Sequence, residues 1–233
     1  MKKIIQMFLP IFILSSQVFA IAGFGAYGDF DLLKYPAGSS GDISAYGVEY
    51  NGFDNAKGFG FLFYIDAIPI VDLEADIEFV GNLYEYTPYL AGSPLASEDL
   101  PWGRVSTYVT IRKEILGLSI PLLAKAQLYG GLGFNKHKVV PIMTADVIKD
   151  ALGGDGLEAA LILFEADTEE GAKNLAKSML DNVEDVSGFH LQAGVRGKLL
   201  MFNAFVNARY TIADVIPDKS GYPSLWVGLA IGI

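Results

Sequence analysis

Hydrophobic and polar residues alternate along much of this chain with a period of two. From Val71 to Phe79 the alternation is unbroken: Val71, Leu73, Ala75, Ile77 and Phe79 interleave with Asp72, Glu74, Asp76 and Glu78. Successive side chains of a β-strand point to opposite faces. The segment therefore predicts a strand with one apolar face and one face of carboxylates. Similar patterns predict strands over 22–30, 58–66, 71–83, 103–113, 122–134, 188–198, 201–211 and 223–233. In 188–198, Phe189, Leu191, Ala193 and Val195 oppose His190, Gln192, Gly194 and Arg196. Their lengths approach the ~9–11 residues that a tilted strand needs to cross a bilayer.

The connections alternate as well. Short turns are expected at 67–70, 114–121 and 199–200, and long loops at 31–57, 84–102, 135–187 and 212–222. Short turns on one side, long loops on the other and an even strand count are the pattern of a transmembrane barrel. Residues 42–50 read as a further strand or as an extension of the second hairpin. Within 135–187, Leu157, Ala160, Leu161 and Phe164 recur at helical spacing, as do Ala172, Leu175, Ala176, Met179 and Val183. A further short helix is expected at 144–152, before the break at Gly153-Gly154-Asp155-Gly156.

Composition narrows the picture. The chain is 52% hydrophobic with a mean hydropathy of +0.34. No run of 18 apolar residues follows residue 20, so a spanning helix is not indicated. Apolar surface spread over alternate strand residues accounts for both facts. Residues 1–20 read as a signal peptide: Lys2 and Lys3 precede an apolar run from Ile4 to Leu14, and Val18-Phe19-Ala20 offers a cleavage site. Residue 21 is Ile, not Cys, which argues against a lipoprotein. Loss of Lys2 and Lys3 takes the formal charge from −10 to −12, which speaks against nucleic acid as a partner. There is no cysteine, so no disulfide holds the fold.

The acidic row at 71–79 is the main candidate site. If the strands close, Asp72, Glu74, Asp76 and Glu78 point inward, as do Arg104 and Arg112, Lys125, Arg196 and Arg209. Buried charges need partners, and an eight-stranded barrel is just wide enough to fill with side chains. The expectation is a charge network that closes the lumen, with a cation-conducting lining as the second reading. A metal site is not expected: carboxylates on one face of a straight strand stand about 6.5–7 Å apart. Gly23-Phe24-Gly25-Ala26-Tyr27-Gly28 matches G-x-G-x-x-G but lacks the strand before it and the helix after it that a dinucleotide needs. His190 has Gln192, not Ser, next on its face, and His137 sits between Lys136 and Lys138 at an expected loop edge, so no hydrolase is read. Asp150, Asp155 and Glu158 lack EF-hand spacing. No cofactor is expected.

With these features in place, the chain resembles the small outer-membrane β-barrels: the OmpA transmembrane domain, OmpX and the opacity-type adhesins. The resemblance spans residues 21–233. It includes the glycine-rich strand Leu122-Leu123-Ala124-Lys125-Ala126-Gln127-Leu128-Tyr129-Gly130-Gly131-Leu132-Gly133-Phe134. It implies a closed antiparallel up-and-down transmembrane barrel of about eight strands in the outer membrane; the helical insertion read from the spacing in the extracellular loop 135–187 is atypical of that group. The implied role is non-enzymatic, structural or surface-interacting. The partners would be outer-membrane lipid and an extracellular ligand met through loop 135–187. Two alternatives stand beside it: a narrow porin or transporter of small solutes, and a soluble periplasmic lipocalin-like binder with apolar faces turned inward.

Overall fold

A computed structural model of the chain describes residues 22–66, 70–120, 123–152 and 177–232. The signal peptide read at 1–20, the helical stripe read over 157–164 and the members Ala172, Leu175 and Ala176 of the second stripe lie outside these residues; of its remaining members, Met179 is helical and Val183 is not.

The strands are β1 (Ala22–Tyr35), β2 (Gly38–Asp42), β3 (Tyr46–Tyr50), β4 (Phe53–Ile65), β5 (Asp72–Leu90), β6 (Ser93–Pro94), β7 (Glu98–Ile120), β8 (Ala124–Val139), β9 (Glu184–Leu199), β10 (Phe202–Ile212) and β11 (Tyr222–Gly232); helix α1 covers Ala145–Leu152, and residues 177–181 are also helical. Eight of them close a ring. β1, β4, β5, β7, β8, β9, β10 and β11 each pair antiparallel with the next, and β11 pairs back onto β1. Each of the eight strands expected from the alternation is present in this ring.

The register fixes the shape. A row leaving Lys57 through Phe30, Leu225, Ala208, Ala193 and Gly130 reaches Lys113 on β7. The row leaving Lys57 the other way, through Gly81, reaches Gly103. These ends lie ten residues apart on one strand, which is the shear of the barrel. For eight strands this sets a tilt of about 40° and a radius of roughly 8 Å. A lumen that narrow is filled by side chains.

The lower part of the barrel, toward the short turns, is apolar outside and polar inside. Phe24, Phe61, Ile77, Val109, Leu132 and Leu229 are among the exposed apolar residues of the outer wall, while Glu74, Asp76, Glu78, Arg104, Arg112 and Arg209 are buried inside. A bulge between Glu114 and Leu116 reverses the parity of β7. Leu116, Leu118 and Ile120 thereby continue the outer face begun by Val105, Val109 and Ile111.

Higher up, the same strands invert. Inward positions become apolar, with Leu33 on β1, Val80, Tyr84 and Tyr86 on β5, Trp102 on β7 and Val139 on β8 all buried. Outward positions become polar, with Lys34, Glu85, Asp99 and Lys138 exposed. The inward residues join Tyr46, Val48, Ile142, Met143, Ile148 and Val215 in one cluster that fills the mouth.

This inversion corrects several expected boundaries. The loop read at 31–57 contains the β2–β3 hairpin, which adds to the extension of β5. The loop read at 84–102 is largely strand, closed by a tight turn at Ala91-Gly92 and by β6. The turn read at 114–121 is strand to Ile120, and the loop read at 135–187 spans only 140–183. Helix α1 falls where a helix was expected. Thr144 caps it by accepting the Val147 N–H at 3.2 Å, which satisfies one of the orphan donors of the first turn.

Candidate functional site

The lumen is built from β5 outward. Its period places Glu74, Asp76 and Glu78 in a column on the inner face. β7 supplies two guanidiniums on a diagonal, the natural reach of long side chains on paired strands. Arg112 stands opposite Asp72 but bonds Glu74 at 2.7 Å, and Arg104 stands opposite Val80 but bonds Glu78 at 2.7 Å. From across the barrel, Arg209 of β10 reaches Asp76 at 2.6 Å and Glu78 at 3.3 Å. Its guanidinium lies 3.8 Å from the Tyr108 ring centre, and its Nε donates to Gln192 Oε1 at 3.4 Å. Gln192 donates in turn to Glu74 at 2.8 Å, while Tyr27 and Tyr108 donate to Glu78 at 3.3 and 3.2 Å. Such hydrogen bonds are what make buried charge tolerable.

Two acids outside the expected set take part, and a third lies beside one of them. Asp31 accepts from Arg104 at 2.9 Å, with Asp29 beside it. Asp66, in the β4–β5 turn, accepts from Arg196 at 2.6 Å and from Arg112 at 3.4 Å. Two expected members stand apart. Lys125 pairs with Glu114 at 2.5 Å at the short-turn end, both partly exposed. Asp72 is half-buried and forms no ion pair among the described residues.

Packed among these charges is an aromatic cluster of Tyr27, Tyr64, Tyr129, Phe205 and Trp226 with Leu62 and Ala230, in which Tyr64 stands opposite Glu74 and Leu62 opposite Asp76. Arg196 lies over Tyr64 at 4.3 Å and Arg112 over Tyr129 at 5.0 Å, so charges and rings interlock by cation–π contact. Three tyrosines of the cluster stand directly opposite glycines: Tyr64 by Gly23, Tyr27 by Gly60 and Tyr129 by Gly194. A Cβ on Gly60 would lie 2.3 Å from the Tyr27 ring. The glycines are the recesses into which the rings lie.

Asp29, Asp31 and Glu78 bring ligand atoms within 4.8 Å of one another. Arg104 already binds two of these carboxylates, so a guanidinium stands where a metal ion would neutralise charge.

His137 is on β8 facing inward, not at a loop edge. Its Nδ1 is 2.8 Å from Ser106 Oγ and its Nε2 3.0 Å from Asn135 Oδ1. Asn135 donates to the Phe189 carbonyl, which orients the amide. The neutral tautomer that donates from Nε2 and accepts at Nδ1 satisfies both contacts. His190 pairs with Thr110 at 2.8 Å. A Ser–His–Asn trio suggests acyl transfer, but Ser106 and His137 are both 0% exposed, so a substrate carbonyl does not reach them.

The mouth is closed by α1 and its neighbours. Tyr84 Oη accepts the Met143 N–H at 2.8 Å, Ser40 Oγ accepts the Ala145 N–H at 3.2 Å, and Ser178 donates to the Val147 carbonyl at 3.2 Å. Burial pushes the Tyr84 hydroxyl up to about 12. At the tip of β2–β3, Asp42 accepts from the Ser44 hydroxyl and amide, which hold its carboxyl below the usual range.

No family model matches the chain, and no curated protein matches it in sequence. In fold the chain is similar to solved small outer-membrane β-barrel proteins. These include OprG of Pseudomonas aeruginosa, at 13% identity, covering 93% of this chain and 96% of that one with a TM-score of 0.45. The N-terminal β-barrel domain of OprF from the same organism is 10% identical, with coverage of 91% and 99% and a TM-score of 0.40. Ail, the attachment invasion locus protein of Yersinia pestis, is 8% identical, with coverage of 91% and 97% and a TM-score of 0.39. At these identities none of those proteins' roles carries over to this chain.

Proposed function

We propose that this chain is a membrane-spanning barrel of a bacterial outer membrane, with a sealed lumen and a structured outer cap that serves surface contact rather than catalysis. The observation that supports it most is the inversion of polarity along single strands. On β5 the outer face changes from Leu73, Ala75, Ile77 and Phe79 to Glu85 and Thr87, while the inner face changes from Glu74, Asp76 and Glu78 to Val80, Tyr84 and Tyr86. A strand in one medium would keep its parity. A strand that leaves lipid for water reverses it, because the wall then faces solvent and the interior becomes an ordinary apolar core.

The dimensions agree. On β8 the apolar outer run from Ala126 to Phe134 ends at Lys136 and Lys138. Eight steps of ~3.3 Å at about 40° tilt cover roughly 20 Å, close to the ~25 Å band of such barrels. Ring closure pairs every strand, as a lipid environment requires. A lipocalin-like binder would need its apolar faces inward in the barrel body, where the strands instead place the charges.

The charged layer, with the aromatic rings packed among its charges and the apolar mouth above, supports a plugged barrel over a porin. The capped end, with the 140–183 connection, is the part offered to an extracellular partner. The test is twofold. The protein should stay with the detergent-soluble membrane fraction and insert into lipid vesicles, and planar bilayers containing it should show no discrete conductance. Discrete, ion-selective channels changed by Asp76→Ala would overturn the sealed lumen and favour a narrow porin.

A further inference from the structure

At the line where polarity inverts, the outer wall carries a groove of about 550 Å³. This lies within the size range of small-ligand sites, but the groove is on the wall, not in the lumen. Phe59, Phe79 and Val105 form its lower walls, and Val140, Leu180 and Val183 its upper edge. It exists because two outward positions are glycines. At Gly81 and Gly103 the wall has no side chain where neighbouring rows carry Phe79 and Val105. A Cβ on Gly103 would meet only the Val80 carbonyl oxygen, at 3.8 Å. At Gly103 the hollow is thus a choice of residue, whereas a Cβ on Gly81 would lie 3.0 Å from the Trp102 carbonyl oxygen.

Two lysines flank this apolar hollow. Lys57 lies at one side, its Nζ 5.9 Å from the Phe30 ring centre, and Lys138 lies at the other. Lys138 and Lys136 share the single carboxylate of Asp185, at 3.2 and 3.6 Å, which leaves one of their two charges unmatched by that pairing. An apolar slot running down the wall, topped by cations at the interface, complements one kind of molecule: a phosphate-bearing lipid, its chain against Phe59, Phe79 and Val105 and its phosphate between Lys57 and Lys138.

Resting on the membrane placement proposed above, we infer that this groove is a binding site for one anionic lipid of the outer leaflet. Gly81 and Gly103 make room for the chain, and Lys57 and Lys138 select the headgroup. A soluble anion would find the lysines but not the slot. A neutral lipid would find the slot but no charge partner.

The folded full-length chain in detergent is titrated with phosphatidylglycerol and with phosphatidylcholine of matched chains, and bound copies are counted by native mass spectrometry. Wild type should hold one tightly bound phosphatidylglycerol. Lys57→Gln and Lys138→Gln should each weaken it about fivefold and leave phosphatidylcholine unchanged. Gly103→Leu, whose Cβ would meet only the Val80 carbonyl oxygen, should abolish tight binding of phosphatidylglycerol and weaken phosphatidylcholine as well. Equal affinity of wild type for the two lipids would overturn the proposal, as would unchanged phosphatidylglycerol binding by Gly103→Leu. Vesicle insertion of each protein is scored in parallel. Variants that insert normally but bind as wild type defeat the groove alone. A wild type that stays in the aqueous phase defeats the membrane placement itself.

Discussion

Arg209→Met tests the lumen network at its most exposed dependency. The substitution keeps an unbranched apolar stem and removes the guanidinium with its charge. Glu78 keeps Arg104 at 2.7 Å and two tyrosine hydroxyls after the change. Asp76 does not fare so well: among the described residues its ion-pair partner is Arg209, at 2.6 Å, and it is 3% exposed. Removing one member of a buried pair costs about 3–5 kcal/mol, because the other charge is left in a poor solvent. Replacing both members with apolar groups is far cheaper, often near neutral. Arg209→Met should therefore cost about 3–5 kcal/mol, and Arg209→Met with Asp76→Leu should recover most of it. Urea titration of the protein in lipid vesicles gives the numbers, provided the slope of the transition is unchanged. A single-variant cost under about 1 kcal/mol would refute the network, as would a double variant no better than the single one.

Further outcomes follow from the wall, the aromatic cluster and the cap. Phe61→Arg, in the middle of the apolar belt, should cost about 2–4 kcal/mol in vesicles, measured by the same titration, with little effect on the cap. Gly60→Ala forces a Cβ against the Tyr27 ring and should cost about 1–3 kcal/mol; the companion Tyr27→Ala should relieve part of that clash. Tyr84→Phe removes the acceptor of the Met143 N–H and should loosen α1 by about 1 kcal/mol, read as faster amide exchange over 143–149 with the barrel strands unchanged.

The strands were legible in the sequence as far as their outer faces stayed in one medium. Leu73 to Phe79 against Asp72 to Glu78 could be read as strand, and so could Phe189 to Val195. The reading stopped where the parity turned over. Beyond Val80 the apolar residues Tyr84 and Tyr86 occupy the inner face, so an uninterrupted strand looked like a loop. Asp31 lies just past Phe30, where the alternation ends the first strand, although β1 continues to Tyr35. The lysines flanking His137 give it the pattern of a loop edge. Those lysines face outward above the belt, and their spacing of two was the available signal. Asp66 carries no periodic signal at all, because a turn residue reaches Arg196 only through the fold. The acidic column and the four lumen arginines were readable, but which arginine meets which acid was not. Diagonal reach across β5–β7 and contact across the barrel depend on register and shear, which residue patterns do not encode.

The central claim is that β5 has lipid on one side and a sealed charged interior on the other. A chain without cysteine allows a direct measurement. Single cysteines placed in turn at residues 73–79 are spin-labelled in vesicle-inserted protein, and collisions with oxygen and with a water-soluble nickel chelate are compared. Labels at 73, 75, 77 and 79 should meet oxygen and escape nickel, and labels at 74, 76 and 78 should be shielded from both. Nickel access at 75 and 77 would place the outer wall in water and contradict the account.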